Sequence, residues 1–468
     1  MTVSPSVPLT ESDPLVAALR AALTTGQVST SADVLAASSS DQSSDDRAGR
    51  ARVRVVARST DDVAAVLRLA YEAVVPVVPQ GARTSVTGAS SAVDGCVLLD
   101  LSELDAIVEI RVDDQLAVVQ PGVLTSDLAA AAADRGLFYP VDPGSFYIAT
   151  VGGNIATNAG GMRCVKYGVT RDRVRSLTAV LADGTVVRTG HDSVKGVAGY
   201  DLTALLVGSE GTLAVITEAT LALLPAPGEA AGAAATFASL EDALDAAGRI
   251  MAGARRPSAL ELLDGVAIRA INAYAPASQL PEDAEAFLIV ESDEAGRAAA
   301  DVEHYVRAFE AAGAQSVRVA ATASEVAALL DIRRNLHPGL VAAYGAVLTE
   351  DVAAPRARLQ DLLATIGRTA RETGAVISTG GHVGDGNLHP LICFDPADDG
   401  AREAAQRAFG LVLARAVEVG GTVSGEHGIG TLKREAVEAE LSPAVRDLQV
   451  RVKAVFDPRG ILNPGKKV

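Results

Sequence analysis

Val151-Gly152-Gly153-Asn154-Ile155-Ala156-Thr157-Asn158-Ala159-Gly160-Gly161 is the stretch on which the fold of this chain turns. Four of its eleven residues are glycine, more than a turn needs, so the backbone must come close to a flat or extended ligand. Upstream, Pro79-Gln80-Gly81-Ala82-Arg83-Thr84-Ser85-Val86-Thr87-Gly88 follows a buried apolar run; its small residues leave backbone N–H groups free to face a pyrophosphate, and Thr84 and Ser85 add hydroxyls. Asp142-Pro143-Gly144-Ser145 and Gly208-Ser209-Glu210-Gly211-Thr212-Leu213 complete the set. Each alone is compatible with an ordinary turn. No G-x-G-x-x-G follows a strand, so a doubly wound dinucleotide site is not supported. Gly460 to Lys466 matches G-x-x-x-x-G-K, but Lys467 replaces the hydroxyl residue and no helix follows.

A second constellation lies near the other end. Gly381-His382-Val383-Gly384-Asp385-Gly386-Asn387-Leu388-His389-Pro390 and Gly425-Glu426-His427-Gly428 hold three of the six histidines. His382, His389 and Glu426 are candidate ligands of a divalent metal, and His427 is a spare imidazole able to take a proton near neutral pH. Neighbours on a strand point to opposite faces, so Glu426 and His427 can serve one site only where glycine breaks the strand. The competing reading is two polar surface turns. The seven-residue spacing of the histidines is not that of a zinc-protease helix.

At 468 residues the chain exceeds one ordinary core, and 49% hydrophobic residues suffice to build two or three. The net charge of −17 and the lack of a basic tract exclude a nucleic-acid binder. Cys96, Cys164 and Cys393 are scattered and odd in number, which argues for a reducing compartment. No signal peptide is expected in Met1 to Ala22 and no transmembrane run occurs, so a soluble cytoplasmic protein is expected.

Residues 30 to 50 are rich in Ser and Asp and are expected to form a flexible lead-in. Ser59-Thr60-Asp61-Asp62 is an N-cap for a helix to about Ala73, and Val74 to Val78 is expected as a buried strand. Pro225-Ala226-Pro227-Gly228 and the Ala-rich stretch to Ala235 are taken as a domain boundary. Beyond it, strands and helices alternate, predicting an α+β domain with an antiparallel sheet and helices on one face.

The colinear series P-x-G-x-x-T-S, D-P-G-S, G-G-N-x-A-T-N-A-G-G, K-x-Y-G, G-Y-D-L, G-S-E-G-T-L-x-x-I-T-E, G-H-V-G-D-G-N-L-H, G-E-H-G-I-G and L-N-P-G-K, over about residues 50 to 468, resembles the FAD-linked oxidases of the vanillyl-alcohol oxidase and p-cresol methylhydroxylase fold. It is most similar to the branch with D-lactate dehydrogenase, the glycolate oxidase flavin subunit and D-2-hydroxyglutarate dehydrogenase. The resemblance implies an α+β two-domain flavoprotein: an FAD-binding domain over 1–226, with 1–50 largely flexible, a substrate domain with an antiparallel sheet over 227–425, and a return segment over 426–468 closing on the flavin. It implies FAD contacts at Gly81, Ala82, Thr84, Ser85, Gly88, Pro143, Ser145, Thr150, Gly153, Thr157, Gly160, Gly161, Glu210, Gly211, Ile216 and Asn463. Residues 79 to 90 lack the histidine that often bonds the flavin in relatives, which implies non-covalent FAD. Ala82 and Arg83 depart from the more glycine-rich family loop.

The resemblance also makes His382, His389 and Glu426 ligands of zinc or manganese, His427 the base, and Arg333 the partner of the substrate carboxylate. Thr349 and Leu391 stand where hydroxyglutarate-type members carry a lysine and an asparagine, and Arg333 to Pro338 is more similar to the glycolate and lactate members. The expected reaction is oxidation of a small D-2-hydroxy acid, with hydride transfer to flavin and then electrons to a quinone, an electron-transfer flavoprotein, a cytochrome or oxygen. A hydroxyglutarate-type enzyme, a metal-dependent hydrolase and a non-catalytic flavin subunit stay as alternatives, as do a homodimer and a hetero-subunit complex.

Overall fold

The structure, a computed structural model, describes residues 13–43 and 48–467. Residues 1–12 and 44–47, on which part of the lead-in and signal-peptide readings fall, lie outside the described residues. Where described, the lead-in holds helices at Pro14–Ala22 and Ala32–Ser38, which corrects the loop expectation over 30–50. Asp13 caps the first through Leu15 N at 2.9 Å, and Leu15, Val16 and Leu19 bury its apolar face in the core of the first half.

Among its described residues that half carries two larger sheets and a two-stranded one, Leu137–Phe138 with Leu224–Pro225. Val53–Val56 and Val77–Gln80 both run parallel to Val97–Asp100. The connecting helix Thr60–Ala73 starts where Ser59 Oγ accepts from Asp62 N, a cap worth about 1 kcal/mol. The expected strand at Val74 to Val78 begins later, because Val74 takes the left-handed conformation (φ 53°) to end the helix. The second sheet is five-stranded and antiparallel, with Val215–Ala222 at its centre and the hairpin Val174–Val180/Val186–Gly190 at one edge. The tail returns to this half: Ile461 and Asn463 hydrogen-bond Val77 on the free edge of the parallel sheet.

The other half is built on an eight-stranded antiparallel sheet. The Ala-rich stretch read as a boundary is its fully buried strand Ala231–Phe237. Alanine has weak strand propensity, so burial decides here. Ala231, Ala233, Ala235 and Phe237 enter one core and Ala234 the core behind the sheet. Helices therefore cover both faces, not one. Leu240–Ala252, Ala298–Ala311, Leu359–Thr373 and Asp399–Glu418 lie on one side; Gly265–Tyr274, Ala323–Arg334 and Leu336–Tyr344 lie on the other.

Candidate active site

Three adjacent strands of the large sheet carry the chemistry. Val376–His382 and Asn387–Phe394 form a hairpin in which His382 pairs with Asn387, and Glu261 of Ala259–Asp264 pairs with His382 from the other side. Directly paired residues share a face, and so do residues two apart on one strand. Glu261, His382 and His389 thus project from one face, which explains how histidines seven apart meet. His389 Nε2 is 3.2 Å from His382 Nε2. His382 Nδ1 donates to Glu261 Oε1 at 2.7 Å, which turns its Nε2 lone pair toward His389.

Glu426 and His427 sit outside regular structure, on the turn that the glycine argument requires. Buried Asp351 shapes it: its Oδ2 accepts from Glu426 N and His427 N, both at 2.8 Å, and from Ser424 Oγ at 2.9 Å. Glu426 Oε1 then lies 3.3 Å from His382 Nε2 and 3.4 Å from His389 Nε2. The His427 ring stacks on His389 with centroids 5.1 Å apart. Behind the stack, Asp351 Oδ1, His389 Nδ1 and His427 Nδ1 find no hydrogen-bond partner among the described residues.

Burial alone would depress His382, but Glu261 and Glu426 outweigh it and hold the imidazole well above its ordinary value. Burial would raise Glu426, but His382 and His389 hold it well below. Burial pushes His427 down to about 4 against the pull of Asp351, so it is neutral near pH 7 with a lone pair to offer. The two carboxylates thus draw a positive charge to this spot, either a proton on His382 or a cation between the histidines. The ligand triangle of 3.2, 3.3 and 3.4 Å fits a cation, since in a tetrahedral site with bonds of about 2.1 Å the ligand atoms stand about 3.4 Å apart.

These residues line one end of a cavity of about 790 Å³, within the size range of cofactor sites. Its other walls are the glycine-rich segments. Of the expected residues, Gly81, Ala82, Thr84, Ser85, Pro143, Ser145, Thr150, Gly153, Thr157, Gly160, Gly161, Glu210, Gly211, Ile216, Arg333, His382, His389, Glu426 and His427 all reach it. Backbone N–H groups of Ala82, Arg83, Thr84 and Ser85 find no acceptor among the described residues, and buried Gln80 Oε1 finds no donor, as a site for an anionic, hydrogen-bonding cofactor requires. Arg83 adopts φ 56°, a glycine-like conformation costing about 1–2 kcal/mol, where the family loop is richer in glycine. Its guanidinium is tied back to Ala37 O at 3.0 Å. A Cβ on Gly160 would stand 2.2 Å from Glu426 Oε2, so there the two halves meet backbone to carboxylate.

Three of the expected cofactor residues have partners elsewhere in the chain. Gly88 and Asn463 do not line the cavity. Gly88 closes on Thr431 Oγ1, and Asn463 Nδ2 donates to Ala89 O at 2.9 Å and Glu210 O at 2.7 Å beneath the loop. The Glu210 carboxylate accepts from Ile429 N at 2.8 Å and Gly430 N at 2.7 Å, so it fixes the end of the His427 turn. Arg333, in the last turn of Ala323–Arg334, spends Nε on Glu261 Oε2 at 3.0 Å; its Nη groups have no protein acceptor among the described residues. Sequence reading missed Glu261 and the role of Asp351. A lone carboxylate inside Ala259-Leu260-Glu261-Leu262-Leu263 was the signal for the first.

Residues 226–467 match the model of the FAD linked oxidases, C-terminal domain, and residues 51–190 match an FAD binding domain. A glycolate oxidase subunit GlcD of Bacillus subtilis (strain 168) is 39% identical over 413 residues, covering 88% of each chain. A D-lactate dehydrogenase of Anaerostipes hadrus is 37% identical over 89% of this chain and 90% of its own. A crystal structure of p-cresol methylhydroxylase with substrate bound superposes with a TM-score of 0.81 at 18% identity, over 97% of this chain and 96% of that one, which speaks for the fold alone.

Proposed function

The chain belongs to the FAD-linked oxidase family, and from that premise we propose that it oxidises a small D-2-hydroxy acid, of the D-lactate or glycolate type, to the 2-oxo acid. The observation that supports this is the meeting, in one cavity, of the glycine-rich walls with His382, His389, Glu426, His427 and Arg333. When bound, non-covalent FAD would take up the α-hydrogen with two electrons, and zinc or manganese on His382, His389 and Glu426 would hold the substrate oxygens and ease loss of the hydroxyl proton. Arg333 offers its free Nη pair to the 1-carboxylate, a bidentate fit. Neutral His427 takes the hydroxyl proton. C2 becomes a carbonyl carbon, and the electrons pass on to an external acceptor: a quinone, an electron-transfer flavoprotein, a cytochrome or oxygen.

Thr349 and Leu391 support the substrate class. They are cross-strand partners on the face that carries His389, and both line the cavity. A second substrate carboxylate directed there meets a hydroxyl and an isobutyl group, and a buried carboxylate without partners costs several kcal/mol. Comparing kcat/KM for D-lactate, glycolate and D-2-hydroxyglutarate with one artificial acceptor tests this. At least about a tenfold preference for a monocarboxylate is expected, equivalent to about 1.4 kcal/mol. Preference for D-2-hydroxyglutarate would transfer the distal contact to Arg334 or His337, which also line the cavity.

A further inference from the structure

Glu261 is completely buried, on a strand that carries no other group of the site. Its register opposite His382 places one carboxylate between two elements that both reach the cavity. Oε1 accepts from His382 Nδ1 at 2.7 Å, and Oε2 accepts from Arg333 Nε at 3.0 Å. Both oxygens are used, and neither donor belongs to a neighbouring position on the same element. Removing this carboxylate alone would leave both donors without their partner in a buried setting. It joins a metal ligand to the arginine beside the substrate.

From this geometry we infer that Glu261 is a positioning residue that couples the metal to the substrate clamp; the inference rests on the metal reading proposed above. Through Oε1 it fixes the His382 tautomer that leaves Nε2 free to ligate. Through Oε2 it fixes the plane of the guanidinium, so that the Nη pair faces the cavity at a set distance from the ligand triangle. A glutamine cannot do both: it has one acceptor oxygen, and its NH₂ would face a donor.

The test uses the full-length, FAD-loaded protein, stripped of metal by a chelator and titrated with Zn²⁺ alone. Glu261→Gln should weaken Zn²⁺ binding about 10- to 100-fold. Arg333→Gln should do the opposite, tightening Zn²⁺ about two- to fivefold, because it removes a nearby positive charge and leaves the carboxylate to the metal side. A merely structural role for the pair gives no such opposition of sign. Flavin absorbance and near-UV circular dichroism report folding, and if Glu261→Gln does not fold, the Arg333→Gln arm decides. Zn²⁺ affinities of Glu261→Gln within twofold of wild type, or weakened binding in Arg333→Gln, would overturn the coupling while leaving the metal site standing. Wild-type protein that oxidises hydroxy acids and takes up no Zn²⁺ or Mn²⁺ would remove the metal reading and this inference together.

Discussion

The two walls of the cavity are made of different material. The wall from the first half is rich in glycine: Gly81, Gly153, Gly160 and Gly161 line it with bare Cα atoms. The wall from the second half is polar and charged: His382, His389 and Glu426 line it, backed by buried Glu261 and Asp351 through hydrogen bonds of 2.7–2.8 Å. The first holds by shape and tolerates a variety of polar contacts. The second is stable only when each charge has a partner, because low dielectric amplifies both pairing and its loss. The halves should therefore fail differently: damage to the backbone wall should appear as lost flavin, damage to the charged wall as lost metal and turnover.

The largest effect is expected for His382→Ala. On the proposed metal reading, removing one of its three ligands should cost several kcal/mol of charge stabilisation and lower hydroxy-acid oxidation at least about a thousandfold. Flavin content, read from absorbance, should stay near one per chain. Loss of flavin with the activity would erase the distinction between the walls.

Gly160→Ala probes the point where they touch. Its methyl cannot share space with Glu426 Oε2, 2.2 Å away, so the carboxylate must withdraw from the histidines. A drop in kcat/KM of about 10- to 100-fold with metal loss is expected; metal retained with flavin lost would place Gly160 wholly in the backbone wall. Asn463→Ala should do least. It strands Ala89 O and Glu210 O under the loop, which costs about 1–3 kcal/mol of stability. Thermal denaturation should show a lower midpoint, while flavin affinity shifts less than about threefold; a larger shift would return Asn463 to the cofactor contacts.

The same difference of material explains what the sequence reveals. A backbone wall is written locally: Thr150 to Gly161 is one continuous run, and its glycines mark a close approach wherever the chain goes. The histidines are legible as residue types but not as neighbours, because only the pairing of His382 with Asn387 brings His389 onto the same face. Glu261 comes to His382 from 121 residues away, and a single carboxylate in an apolar run does not announce its partner. The strand character of Ala231–Phe237 was not legible for a related reason: its place is set by two flanking strands and two cores, not by the propensity of its own residues. Asn463 matched a motif and still lies off the cavity, since a motif fixes identity but not the atom it bonds.

Glu210 reaches across 219 and 220 residues of sequence to hold Ile429 and Gly430. The turn that carries His427 thus gets one of its fastenings from the opposite half. In biosynthetic order, that fastening is made early and waits for the last tenth of the chain to arrive. Contacts of such high order are closed late and at an entropic cost. A nascent or clipped chain can therefore own every glycine of the first wall and still lack a shaped base.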